Sequence, residues 1–386
     1  MINYLDNAAT TFPKPQAVYD ETYRCMTRYC GNPGRGSHAM SLAAAKKIFE
    51  CRSLLADFFG VDELERIIFT LNTTYALNAV IKGLVKKGDH IIISDMEHNA
   101  VFRPVWKLAS EGIIEYDIFS SMINIPRRSP TLICAKIASL VRPNTKMVVC
   151  SHASNICSAT LPLKEIGEFC RKRGILFVVD AAQSAGHYPI KVDDMNISAL
   201  CLPSHKGLYG PQGCGVIVLG RNVTLDTLIE GGNGVNSLDG DMPSFSPERY
   251  EAGTMPTPAV AGLCEGVKAI NEIGLKEIAE YESSLFISAR EMLCNTPNVS
   301  IYAPSYAGPT LLFNLRGISS EALARELDSH GICVRGGFHC SALGHKTLGT
   351  SEDGAVRISF GIFNKQSDVE NLGKALTRIS AEQNIK

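Results

Sequence analysis

Short, β-branched apolar runs recur through the first half of this chain with helical patterns between them, and that alternation restricts the fold more than any other feature. The runs are IIFTL (67–71), HIIISD (90–95), KMVVCSH (146–152), ILFVVD (175–180) and ALCLPSH (199–205). Each is too continuously apolar for a strand with one wet face, so each reads as a strand covered on both sides. Between them, LPLKEIGEFCRKRG carries Leu163, Ile166 and Phe169 on one helical face and ends at Gly174. A longer helix, SLAAAKKIFECRSLLADFFG, carries Ile48, Phe49, Leu55 and Phe59 before Gly60. Buried strands alternating with helices predict an α/β fold, a mainly parallel sheet with helices on both faces.

A chain of 386 residues is long enough for two domains. The Gly-, Pro- and Ser-rich stretch from 230 to 258 reads as the boundary, and beyond it TLLFNL, GICVRG and AVRISFG alternate with helical patterns as a smaller α/β domain. The expected division is a large domain over 16–255 and a small domain made of 1–15 and 256–386.

Charge excludes some functions. Lys+Arg is 38 against Asp+Glu 39, a net charge of -1, so nothing favours nucleic acid as a partner. No apolar run is long enough to span a bilayer, and MINYLDNAATTFPKP lacks a secretory pattern, so the expected setting is the cytoplasm without membrane attachment. The 13 cysteines include no C-x-x-C pair and mostly sit in apolar segments, where a thiol acts as a small hydrophobe. The nine histidines show no metal-ligand spacing, and no metal is expected.

Open α/β sheets bind ligands outside the carboxyl ends of their strands. At or just past the ends of the five runs come Thr73 and Thr74 opening a helix, His98, Asn155, Asp180 with Gln183, and Ser204, His205 and Lys206. Any one could be a cap or turn residue; together they suit a pyridoxal phosphate site. A lysine amine holds the aldehyde. An aspartate at a strand end pairs with a protonated ring nitrogen, and a Thr-Thr at a helix start offers hydroxyls, N–H groups and the positive dipole end to a phosphate. Lys206 runs into Gly207, Gly210 and Gly213, which predicts a turn whose backbone passes close to the cofactor.

The segments YLDNAATTFPKP, VVDAAQSAGH, SHKGLYGPQGCG and RYEAGT resemble the class V aminotransferase-fold pyridoxal phosphate enzymes, in the cysteine desulfurase or selenocysteine lyase-like branch. The resemblance runs from Tyr4 to about Asn364 and implies the PLP-transferase fold type I with a seven-stranded large sheet. It implies Lys206 as the Schiff-base lysine, Asp180 on the pyridinium nitrogen, Gln183 on the ring hydroxyl and His98 stacked on the ring. It further implies Thr73, Thr74, Ser204 and His205 around the phosphate, with Asn155 beside the cofactor. Thr254 would reach the phosphate of a neighbouring subunit, which implies a homodimer with shared sites.

Fold alone does not give the reaction. VRGGFHCSALGH places Cys340 in a glycine-flanked loop after Arg335 and His339, and cationic neighbours favour a thiolate. The resemblance makes Cys340 the persulfide-forming cysteine, and Lys206, Cys340 and His98 the catalytic residues. Arg357 in AVRISFG needs a partner for its guanidinium: a substrate carboxylate, shared with Asn155 and Arg335, or an internal ion pair with an acidic residue. The implied reaction is L-cysteine to L-alanine with sulfur passed through Cys340 to an acceptor protein, as in iron–sulfur cluster assembly. The short stretch between Cys340 and Arg357 resembles desulfurases that rely on such an acceptor. Selenocysteine lyase activity on L-selenocysteine, transamination or β-elimination with Cys340 incidental, and a non-catalytic partner protein of the same fold stay open at this point.

Overall fold

The computed structural model describes residues 2–34, 36–125, 128–303 and 308–383. The chain opens with a short strand β1 (Asn3–Tyr4) and helices α1 (Gln16–Arg24) and α2 (Ala39–Phe59). The large sheet and its helices follow: β2 (Ile67–Thr70), α3 (Thr73–Leu84), β3 (Asp89–Ser94), α4 (Asn99–Ser110) and β4 (Ile114–Phe119). Next come α5 (Pro130–Ala138), β5 (Thr145–Ser151), α6 (Leu163–Arg171), β6 (Leu176–Asp180), β7 (Ala199–Pro203) and β8 (Gly215–Leu219). The seven strands lie in the order β2-β8-β7-β6-β5-β3-β4, and only β8 runs antiparallel to its neighbours.

Side chains alternate across this sheet with the period of two that a strand imposes. On β6 and β7, Phe177, Val179, Leu200 and Leu202 enter one core with residues of α2 and α6. Val178, Ala199 and Cys201 enter a second core with residues of α3 and α4. The five expected strands are present, and β4 and β8 add to them. At the sheet edge, β4 carries exposed Glu115, so its apolar run is broken. Strand β8 returns from the glycine turn without a helix and so interrupts the alternation.

Helix α2 ends at Gly60, whose φ of +66° suits a residue without Cβ. Its buried stripe is Ala44, Ile48, Cys51, Leu55 and Phe59; Phe49, expected in the core, points away and is 60% exposed. In α6, Ile166 and Cys170 are buried in the core, and half-buried Phe169 packs against its edge with the Arg173 guanidinium 3.9 Å above its ring.

Helix α7 (Thr257–Ile273) follows the long loop. Expected in the small domain, it instead gives Val260, Leu263, Cys264, Val267 and Ile270 to the first core of the large sheet. Its apolar stripe faces α1 and α2. The remaining elements are α8 (Leu275–Cys294), β9 (Val299–Tyr302), β10 (Thr310–Leu315), α9 (Ser320–Ser329), β11 (Ile332–Cys333), α10 (Ala342–Leu348), β12 (Val356–Ser359) and α11 (Gln366–Gln383). An antiparallel sheet β12-β10-β9 shares a separate core with α8, α9 and α11. Strand β1 pairs with β11, which ties the N-terminal residues to this C-terminal unit. Among the described residues no helix is long and apolar enough to cross a membrane.

Candidate active site

The carboxyl ends of β2, β3, β5, β6 and β7 open into one cavity of about 230 Å³. The floor is made by Thr73 and Thr74 at the start of α3, His98 before α4, Asn155 after β5, Asp180 ending β6, Gln183, and His205 and Lys206 after β7. The C-terminal unit closes the mouth with Arg335, His339 and Arg357, and the N-terminal segment adds Ala8 and Ala9. Of the expected residues, Ser204, Thr254 and Cys340 do not line this cavity.

Local rules set each position. Asn72 caps α3 by accepting from the Tyr75 N–H at 2.9 Å, which leaves the Thr73 and Thr74 end of the helix facing the cavity. His98 caps α4, its Nδ1 accepting from the Ala100 N–H at 3.0 Å. Asp180 Oδ1 accepts from the Ala182 N–H at 2.9 Å, and Gln183 Nε2 donates to Ala8 O at 2.9 Å. Asn155 Nδ2 donates to His339 O at 2.8 Å, so only part of its amide is left for a ligand.

The Lys206 turn is clamped from the N-terminal segment. His205 O accepts from the Thr11 N–H at 3.0 Å, the Thr10 hydroxyl at 3.1 Å and Lys14 Nζ at 3.4 Å. Gly207 has a packing reason of its own: a Cβ there would stand 2.3 Å from Ala185 O and 2.7 Å from His187 Nε2. Ser204 is set back because its hydroxyl donates to Pro211 O inside the same turn.

Burial dominates the electrostatics. Lys206 is walled in by protein, and burial pushes its ammonium down to about 8, against the opposing pull of Asp180 and with help from Arg357 and Arg335. Burial raises Asp180, while the Ala182 N–H and Lys206 oppose it. Burial also pushes His98 down to about 4, with the charge of Lys206 next in size, and His205 likewise to about 4. Both rings are therefore neutral at neutral pH. Thr73 Oγ1 and His205 Nδ1 are buried without a hydrogen-bond partner. Two orphaned polar atoms beside a helix N-terminus fit a phosphate, and Asp180 across from Lys206 fits a pyridinium ring held by an amine. Pyridoxal phosphate suits these residues.

Arg357 resolves its two expected partners in an unforeseen way. Its Nη2 pairs with Asp6 at 2.6 Å and its Nη1 donates to Asn155 O at 2.9 Å, yet Nε is buried without a partner and the side chain lines the cavity. The internal ion pair thus leaves one donor of the guanidinium group unspent. Cys340 stands exposed on the loop before α10. Its O accepts from the Asn99 N–H at 2.8 Å, which seats the loop beside His98. His339 and Cys340 both adopt left-handed φ, +52° and +55°, a conformation costing non-glycine residues on the order of 1–3 kcal/mol each.

Sequence reasoning missed Glu97. It is fully buried beneath the cavity, accepting from the Ser94 hydroxyl, from the Ser151 N–H at 2.9 Å and from the Ser151 hydroxyl at 2.9 Å. These bonds tie the ends of β3 and β5. Burial pushes its carboxyl up from 4.5 to about 8, the hydrogen bonds opposing and Asp180 adding. A folded value raised above the unfolded one means the native state holds the extra proton. The cofactor-free protein should thus lose stability as pH rises from 4.5 to 8, by up to roughly 5 kcal/mol at ~1.36 kcal/mol per pH unit. Glu97→Gln, neutral throughout, should remove most of that slope; urea denaturation across pH checks it, and an unchanged slope would count against the buried proton.

Thr254 is exposed, with Asn32 Nδ2 3.5 Å from its hydroxyl. Asp6, Ala8 and Ala9 were missed as site-forming residues although they lie inside YLDNAATT, the one signal that could have found them.

Comparison with known proteins gives consistent results. The family model for aminotransferase class-V matches residues 3–372. A cysteine desulfurase of Yersinia pestis is 30% identical over 386 aligned residues, covering 97% of this chain and 93% of that protein. The apo structure of a cysteine desulfurase from Thermococcus onnurineus superposes with a TM-score of 0.90 at 32% identity, covering 99% of this chain and 95% of that one. The S-sulfonic acid form of an Escherichia coli cysteine desulfurase gives 0.87 at 25% identity, with the same coverages of 99% and 95%.

Proposed function

Since this chain belongs to the aminotransferase class-V family, whose members depend on pyridoxal phosphate, we propose that it is a cysteine desulfurase that takes sulfur from L-cysteine onto Cys340. The observation that carries the reading is the seat of Cys340: exposed, in a left-handed turn, bonded through its carbonyl to Asn99 next to the His98 of the cavity. A thiol there can meet a substrate bound beneath it.

Pyridoxal phosphate, when bound, supplies an electrophilic aldehyde and an electron sink for charge developing at the substrate Cα. Lys206 Nζ holds the cofactor between turnovers and, with its basicity lowered by burial, moves the Cα proton. Asp180 keeps a proton on the ring nitrogen by its negative charge. Thr73, Thr74 and His205 bind the phosphate. Arg357 orients the substrate carboxylate, with Arg335 adding positive charge and Asn155 its remaining amide hydrogen. The Cys340 thiolate attacks the substrate sulfur; an S–S bond forms, the substrate Cβ–S bond breaks, and its electron pair stays on the carbon skeleton. That skeleton takes a proton, for which His98 is placed, and leaves as alanine.

The exposed persulfide would pass to an acceptor protein in the cytoplasm, with iron–sulfur cluster assembly as one such use. The working unit is a homodimer in which the partner subunit's Thr254 completes the phosphate site. Exposed Met40, Leu42 and Phe49 on α2, at 48%, 59% and 60%, support a covered face.

A single-turnover reaction with L-cysteine and no reductant tests the reading. Stoichiometric alanine with one sulfur atom added to the Cys340 peptide is the expected result; pyruvate, or alanine with Cys340 unmodified, would assign another reaction to the same cofactor site. For Arg357→Lys, which keeps the charge but loses the fork, KM for L-cysteine should rise about 10- to 100-fold with kcat little changed. Steady-state kinetics reads this, and an unaltered KM would leave Arg357 as a purely structural partner of Asp6.

A further inference from the structure

Behind Cys340 runs a hydrogen-bond chain that the sulfur chemistry leaves without a role. His339 Nε2 lies 3.0 Å from Arg335 O, His339 Nδ1 lies 3.1 Å from His345 Nε2, and His345 Nδ1 lies 2.7 Å from Thr350 Oγ1. The imidazoles stack with centroids 5.3 Å apart and planes 11° apart, and Phe338 meets the His345 ring edge-on. His339, His345 and Thr350 are only 3%, 1% and 3% exposed, so water does not complete this chain from outside.

Donor accounting assigns every proton. A carbonyl oxygen only accepts, so His339 Nε2 carries the hydrogen directed at Arg335 O. A neutral imidazole protonated at Nε2 has a bare Nδ1, so His339 Nδ1 accepts and His345 Nε2 donates. His345 Nδ1 is then bare in turn and accepts from the Thr350 hydroxyl at 2.7 Å, a nearer acceptor for that hydroxyl than His345 O at 3.4 Å. The chain has one direction, from Thr350 through His345 and His339 to Arg335 O. A second proton on His339 would face the His345 N–H donor to donor. Burial also opposes it, pushing His339 down to about 3 and lowering His345. With both nitrogens committed, His339 is not available as an acid or base toward the substrate. Its task is geometric.

The geometry it holds is that of the sulfur-accepting loop. Arg335 O also accepts the Arg357 N–H at 2.8 Å, so the His339 ring is anchored to the strand carrying the substrate-facing arginine. His339 O takes the Asn155 amide at 2.8 Å, and Cys340 O takes the Asn99 N–H at 2.8 Å. Two consecutive left-handed non-glycine residues persist only where their surroundings over-determine them. We propose that His345 and Thr350 are positioning residues for Cys340, fixing the His339 tautomer and through it the left-handed His339–Cys340 turn. The proposal rests on the reading of Cys340 as the sulfur acceptor. It assigns to α10 and the turn after it the rigidity with which the thiol meets the substrate.

Three holoenzyme variants test it: His345→Ala, His345→Gln and Thr350→Val. Quenched-flow mass analysis follows sulfur gain at Cys340, steady-state kinetics gives KM, and ring-nitrogen NMR of histidine-labelled enzyme reads the tautomers at neutral pH. The expected result is both rings neutral with hydrogen on Nε2. Sulfur gain should slow about 100-fold in His345→Ala, the scale of a misplaced reacting group, with KM and cofactor absorbance unchanged. Thr350→Val, which leaves both imidazoles in place, should slow it less. His345→Gln, whose amide can still donate to His339 Nδ1, should recover most of the rate. A wild-type rate in His345→Ala, or hydrogen on Nδ1 of His339, overturns the proposal. A wild-type enzyme that turns over L-cysteine without loading Cys340 removes the sulfur-acceptor reading instead, and the tautomers then decide the hydrogen-bond chain by themselves.

Discussion

Cys340→Ser is expected to abolish sulfur transfer from L-cysteine, by on the order of a million-fold, the loss found when an enzyme is stripped of its nucleophile. A serine hydroxyl keeps the size of the side chain but stays protonated at neutral pH and attacks sulfur poorly. Cys340 is exposed and outside the cavity lining, so the residues that line the cavity lose nothing. Pyridoxal phosphate absorbance and its shift on adding L-cysteine should therefore match the wild type. This separation is the point of the experiment: binding and activation of the substrate persist while alanine formation stops. Alanine produced at the wild-type rate by Cys340→Ser would remove the persulfide step and return the chain to transamination or elimination chemistry.

Lys206→Ala should reduce turnover by about 100- to 10,000-fold for lost proton transfer alone, and further because nothing anchors the cofactor between turnovers. The cofactor-free protein, by contrast, should be no less stable than the wild type. At neutral pH the native state buries the Lys206 ammonium, whose value falls from 10.5 to about 8, a cost of roughly 3 kcal/mol by the same conversion of pH units. Alanine removes that cost, offset by the packing of the lysine stem. Absorbance titration with pyridoxal phosphate and urea denaturation of the apo form read the two effects independently. Near-native turnover by the alanine variant would transfer the proton-moving role to another group of the cavity.

Much of the floor of the site was legible because strand ends are legible. Continuous apolar runs mark β2, β3, β5, β6 and β7, a parallel sheet has one ligand-binding edge, and the polar residues just past each run must gather there. Asp180, His98 and Lys206 were found that way, without any contact being known. The mouth was not legible by the same logic. Arg357 and Asp6 are 351 residues apart, and their ion pair forms because β1 joins β11 and the residues after β1 bond to Ser359 on β12, which brings the N-terminal segment to the cavity. Glu97 escaped because nothing in its neighbours marks it as buried; the bonds that hold it come from Ser94 and from Ser151 on another strand. Phe49 was assigned to a core by residue type, and helical rotation leaves it 60% exposed.

The amino-acid sequence by itself determined the layered α/β fold, the edge of the sheet at which chemistry is done, and the residue types of a pyridoxal phosphate site with a loop cysteine. It could do so because periodicity and strand-end placement are local properties of the chain. Tertiary structure alone decided which charges survive burial, which donors are spent and which remain open. Only the folded chain leaves Ser204 donating to Pro211 O, Thr73 Oγ1 and His205 Nδ1 unpartnered for an anion, and His339 stacked on His345 behind Cys340. Those outcomes depend on distances between residues far apart in sequence, and on the loss of water around them, which no local pattern encodes.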